Sequence, residues 1–197
     1  MCGIVGGFSQ NNIVPDLLDS LSKLEYRGYD SAGLAAMDGE RLQRTRAVGK
    51  VKALAEKVVS ASLQGNLGFA HTRWATHGIV SESNTHPFIS KQGIAVVHNG
   101  IIHNHRQLRE QLIAQGYIFE SETDTEVIAH LLDAHISQGM DLFSACNQVR
   151  MMLEGAYAVL VIYEQAPQEM LAVCQDSPLV LGRGKKGCFV ASDQRAI

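Results

Sequence analysis

Cys2 stands directly after the initiator methionine. A small second residue generally permits removal of that methionine, which would leave a thiol and a free α-amine on one residue. An α-amino group has a pKa of about 7.7 to 8.0, so part of it is neutral near pH 7 and able to take a proton. Nucleophile and base would then be a single residue, the arrangement in which an N-terminal amine replaces the histidine of a catalytic triad. From position alone the alternative is a cysteine that happens to stand second in a buried first strand. Other residues are ambiguous by themselves. Asn99-Gly100 between apolar runs reads as a hairpin turn, Arg73 as a surface arginine after a strand, and Asp124 as a helix-start carboxylate favoured by the macrodipole. His98, His103 and His105 lie close together, but no spacing of histidine with carboxylate matches a zinc pattern, and no metal is expected.

The elements that must hold these residues are legible in part. Strand-like runs fall at Cys2 to Phe8, Gly33 to Met37, Leu67 to His71, Ile94 to His98, Tyr157 to Tyr163, Met170 to Cys174 and Cys188 to Ala191. Leu17, Leu18, Leu21 and Leu24 give one amphipathic helix, with Pro15 in its first turn, where a missing N–H costs nothing. A second helix is expected from Asn104 to Gln115, with Asn104 and Gln107 as a capping pair, and ends at Gly116. A third takes Thr123 as cap with Glu126 three residues on and stops near Gly139. A fourth runs from Leu142 to Leu153. Helices grouped between strand clusters argue against a doubly wound parallel sheet and for stacked antiparallel sheets with outer helices.

At 197 residues and 46% hydrophobic content, one domain with one core is the default. A formal net charge of -3 with scattered Lys and Arg offers no field for nucleic acid. No apolar run approaches the ~20 residues of a membrane span, and nothing reads as a signal peptide. Cys2, Cys146, Cys174 and Cys188 form no C-x-x-C pair, so disulfides are not expected and a cytoplasmic location is. Cys146, Cys174 and Cys188 read as small buried hydrophobes.

Context reverses the odds on Cys2. Met1-Cys2-Gly3-Ile4-Val5-Gly6 resembles the opening of the class II glutamine amidotransferases, the N-terminal nucleophile glutaminases. Glu25-Tyr26-Arg27-Gly28-Tyr29-Asp30-Ser31-Ala32-Gly33, His71-Thr72-Arg73-Trp74-Ala75-Thr76-His77-Gly78, His98-Asn99-Gly100-Ile101-Ile102 and Ser121-Glu122-Thr123-Asp124-Thr125-Glu126 follow in the family's order. The Tyr-Arg-Gly-Tyr-Asp form is similar to the branch that passes ammonia to fructose 6-phosphate.

The resemblance implies a four-layer αββα sandwich of N-terminal nucleophile hydrolase type, an α+β fold with stacked antiparallel sheets. It implies acyl transfer from glutamine to Cys2, with no cofactor, and an oxyanion hole built from the Asn99 side-chain amide and the Gly100 backbone N–H. Glutamine presents a carboxylate, an ammonium and a neutral amide. The resemblance gives the carboxylate to the planar fork of Arg73 and the ammonium to Asp124. It puts Trp74, Thr76 and His77 in a segment that closes over glutamine, and Arg27 near the nucleophile. In that branch the glutaminase unit is joined to a pair of sugar isomerase domains in a longer, homo-oligomeric enzyme. This chain reads as the glutaminase unit alone. Two rival readings are a peptidase of the same nucleophile type and a silent glutamine-sensing domain; Arg73 with Asp124 opposes the first, and retention of Met1 would favour the second.

Overall fold

The structure is a computed structural model and describes residues 2–75, 78–185 and 187–197. Among the described residues, ten strands and five α-helices follow in the order β1 (Gly3–Phe8), α1 (Val14–Ser22), β2 (Ser31–Asp38), β3 (Arg41–Val48), α2 (Val51–Ser60), β4 (Leu67–Arg73), β5 (Phe88–Ile89), β6 (Ile94–Ile102), α3 (His105–Ala114), α4 (Glu126–Ser137), α5 (Leu142–Met152), β7 (Gly155–Tyr163), β8 (Ala166–Gln175), β9 (Val180–Gly184) and β10 (Gly187–Ala191). The strands form two sheets, one in the order β3-β2-β4-β1-β10-β9 and one in the order β5-β6-β7-β8. All neighbours within them are antiparallel.

Strand alternation divides the core into three layers. In β7, Leu160 and Ile162 face the other sheet, packing with Ile4, Met37, Phe69 and Val97. Tyr157, Val159 and Val161 point the opposite way, into a cluster with Val127, Leu131 and Val149 of α4 and α5. On the far side of the molecule Val5, Leu34 and Ala70 pack against Leu17 and Leu21 of α1 and Leu54 of α2. The order is therefore helix, sheet, sheet, helix, as expected. Strands buried on both faces carry continuous apolar runs, which is why β6 and β7 read so plainly in the sequence.

The strands that the sequence reading missed, β3, β5 and β9, are sheet edges. An edge strand has less to bury and carries polar residues, as in Arg41–Val48. Helix α2 was also missed, although Val51, Leu54 and Val58 line its buried face. Its start carries no local signal, because the cap comes from far away: Glu25 Oε1 accepts from the Val51 N–H at 2.8 Å. Two expected caps are corrected. Asn104 makes no cap bond to α3 and instead ties the Met152 carbonyl and the Glu154 N–H. The cap position of α4 is Thr125 rather than Thr123, and its side chain makes no cap bond; Thr123 pairs with the Ser121 hydroxyl, and Glu126 folds back onto the N–H groups of Glu120 and Ser121. The cysteine reading is corrected too. Cys146 is buried, but Cys174 on the edge strand β8 and Cys188 on β10 are exposed. No helix among the described residues is long and apolar enough to cross a membrane.

Candidate active site

Cys2 lies just before β1, which is flanked in its sheet by β4 and β10. Register places Gly3 opposite Thr72, so the start of β1 meets the end of β4 and the segment that follows it. The Trp74 N–H points at Cys2 Sγ at 3.3 Å. Across the sheet interface the Asn99 side-chain nitrogen donates to the Cys2 carbonyl at 3.2 Å, and Arg27 Nε donates to the same oxygen at 3.1 Å. Burial pushes the Cys2 thiol up from its ordinary value, against the opposing pull of the Trp74 backbone bond. A thiol so placed is protonated at neutral pH and would need a base in order to act as a nucleophile.

Asn99 and Gly100 lie inside β6, so the hairpin alternative fails: Asn99 pairs with Ala158 and Gly100 with Tyr157. Gly100 is required there. Its φ is +132°, and a Cβ would stand 2.1 Å from the Ala156 carbonyl oxygen. N–H groups two residues apart face the same strand edge. Asp124 Oδ2 accepts from the Ile102 N–H at 2.9 Å, so Gly100 presents its own N–H to that edge of β6. Asp124 is thereby held by a strand backbone, with its other oxygen 4.0 Å from His98 Nδ1.

Arg73, the last residue of β4, is 3% exposed, not a surface side chain. Its guanidinium donates to the Ile79 and Gly78 carbonyls at 3.2 and 3.3 Å. The turn that carries Arg27 packs directly on this segment. Gly28 lies so close that a Cβ would come within 2.8 Å of the Arg73 carbonyl, the Asp30 carboxylate accepts from the Ala75 N–H, and Tyr29 meets Trp74 edge to face at 5.3 Å. Trp74 is 46% exposed and so forms a wall of the site rather than part of the core.

Cys2, Arg73, Trp74, Gly100 and Asp124 line one cleft together with His86, His98, Thr123 and Thr125. It encloses about 20 Å³, room for about one water. Arg27 stands behind Cys2 and holds its backbone. Thr76 and His77 lie outside the described residues. Sequence reasoning gave no role to His71, His86 and Thr125, a buried group in which His86 and Thr125 line the cleft and His71 lies behind them. The Thr125 hydroxyl meets His86 Nε2 and His98 Nδ1, each at 2.8 Å, and the rings of His71 and His86 are 4.0 Å apart. Burial holds His71 down to about 3 and His86 well below its ordinary value, so both are neutral. His71 and Thr125 fall inside the motifs quoted above; their positions in the motifs were the available signal.

Residues 71–197 match the family model described as a glutamine amidotransferase domain. The chain belongs to the glutamine amidotransferase family. This glutamine amidotransferase domain is 51% identical over its whole length to the glutamine–fructose-6-phosphate aminotransferase (isomerizing) of Legionella pneumophila strain Paris, of which it covers 33%. It is 52% identical to the enzyme of that name from Pseudomonas aeruginosa, covering 32% of it. The domain thus spans about a third of the length of these curated relatives. Its fold matches the glutamine phosphoribosylpyrophosphate amidotransferase of B. subtilis with a TM-score of 0.87 at 31% identity, over 99% of this chain and 42% of that one. A glutamine aminotransferase class-II domain protein from Silicibacter pomeroyi shares the fold at a TM-score of 0.67 and 15% identity.

Proposed function

We propose that this chain hydrolyses the side-chain amide of glutamine through a thioester on Cys2, and that in a whole protein like its relatives the ammonia converts fructose 6-phosphate to glucosamine 6-phosphate. The observation that carries the reading is the convergence of Cys2, Gly100, Arg73 and Asp124 on one cleft, in a chain of this family. Once Met1 is removed, the Cys2 α-amine takes the thiol proton as sulfur attacks the amide carbon. Charge developing on the amide oxygen is met by the Asn99 carboxamide and the Gly100 N–H. The C–N bond breaks, the proton passes to the leaving nitrogen, and ammonia departs. Water activated by the same amine then attacks the thioester and returns the thiol, releasing glutamate.

Arg73 and Asp124 sort the substrate by its charges: a fork for the carboxylate and a buried carboxylate for the ammonium. That pair supports a free amino acid as substrate over a peptide, whose α-groups are blocked. With space for about one water, the cleft must widen to admit glutamine. Trp74, the exposed wall, is the lining side chain placed to move aside. Glutamate release tests the proposal. The wild-type chain should turn glutamine over and Cys2→Ala should not, while unfolding like the wild type; turnover by Cys2→Ala would refute the assignment.

A further inference from the structure

His71 of β4 is fully buried, and its Nε2 lies 3.0 Å from the His98 carbonyl oxygen and 3.1 Å from Asn99 Oδ1. A carbonyl can only accept, so Nε2 must carry a proton. A protonated Nε2 cannot accept from an amide NH2, so Asn99 has to turn its oxygen toward His71. Its nitrogen then faces the other way, where the Cys2 carbonyl receives it at 3.2 Å. Rotating the carboxamide by half a turn would set N–H against N–H at one end and oxygen against oxygen at the other, leaving buried polar groups unmatched at both. His71 Nδ1 is buried without a hydrogen-bond partner, as fits the nitrogen that carries the lone pair.

We propose that His71 is a positioning residue: it fixes which end of the Asn99 carboxamide faces Cys2, so that a donor rather than an acceptor meets the charge formed on the substrate oxygen. This rests on the glutaminase reading above. An oxyanion donor acts only if it is already aimed when the charge develops, and an asparagine amide has two ends of nearly equal shape and opposite polarity. His71 does not line the cleft and makes no hydrogen bond to Cys2 among those described; its ring stacks on His86, which does line it, and it reaches Cys2 through Asn99. Burial keeps its ring neutral, so the tautomer with the proton on Nε2 persists through the working pH range.

The test compares His71→Gln, His71→Asn and His71→Leu in glutamate release. A Gln side chain can bring an N–H to the place of Nε2; Asn is too short and Leu has no donor. Gln should keep kcat within about tenfold of wild type, whereas Asn and Leu should lose on the order of 100-fold in kcat with KM little changed. In an Asn99→Ala background none of the three should cause further loss. Equal losses for Gln and Asn, losses that add to Asn99→Ala, or a change confined to KM would each overturn the proposal. If Leu fails to fold, the contrast between Gln and Asn still decides. The ring 15N signals of His71 in the unliganded protein give a readout independent of turnover: Nε2–H is expected, and Nδ1–H would overturn the positioning role. A wild type that releases no glutamate while showing Nε2–H would instead fault the glutaminase reading.

Discussion

Arg27 donates its Nε to the Cys2 carbonyl at 3.1 Å while its Nη1 pairs with Asp193 Oδ2 at 3.3 Å. Cys2 is thus braced from behind by a residue tied to Asp193, in the segment after β10. Replacing Arg27 with Leu removes that brace without entering the cleft. We expect kcat to fall on the order of 10- to 100-fold, because a small displacement of the attacking sulfur is costly, with a smaller change in KM. Steady-state glutamate release measures both; an effect on KM alone would place Arg27 on the substrate instead.

Arg73 and Asp124 should fail differently from Asn99. On the proposed mechanism the two charged residues hold glutamine in the ground state and the transition state alike, so Arg73→Gln or Asp124→Asn should raise KM more than it lowers kcat. Asn99→Ala should lower kcat by on the order of 100- to 1000-fold. A mutant of Asn99 whose main defect is weak glutamine binding would contradict the oxyanion role.

Stability should fall with acid well before the carboxylates titrate. His71 has a folded pKa of about 3 against an ordinary 6.5, and His86 is also depressed, both by burial. Between those values the unfolded chain binds protons that the folded chain refuses, so stability is full above pH 6.5 and drains as pH drops toward 3. Each histidine contributes about 1.4 kcal/mol per pH unit. A second drain opens below about 4.5. Burial would raise Glu126, but bonds from His130, Glu120 and Ser121 outweigh it and hold the carboxyl at about 2. Urea unfolding from pH 8 to 4 checks this, and a flat profile between 6.5 and 4.5 would contradict buried neutral histidines.

The parts of this molecule that announce themselves in the sequence are those whose cause is local. Alternating burial on both faces writes β6 and β7 as apolar runs, and the four motifs mark where the chain approaches Cys2. What stayed hidden has distant causes. Val51 is capped by Glu25, and the Thr125 hydroxyl that could have capped α4 is taken up by His86 and His98. The Asn99-Gly100 pair looks like a turn until the packing of β6 on β7 shows a glycine whose Cβ would strike Ala156. His71 carries no spacing signal because its partners are the His98 carbonyl and the Asn99 amide, brought to it by the stacking of the two sheets.

If the acceptor site of the proposed second half-reaction lies outside these 197 residues, they should release ammonia to solution and form no amino sugar. Glutamate release should be the same with and without fructose 6-phosphate. A several-fold stimulation, or amino sugar found by chromatography, would mean that an acceptor site lies within these residues.

On the proposed mechanism Cys2, freed of Met1, is acylated by glutamine. Acid quench of the protein during turnover, followed by peptide mass mapping, addresses it directly. The expected result is an N-terminal peptide that begins at Cys2 and carries the mass of glutamine less ammonia, with Cys146, Cys174 and Cys188 unmodified. A chain that turns glutamine over while retaining Met1, or that carries the acyl group on another residue, would contradict it.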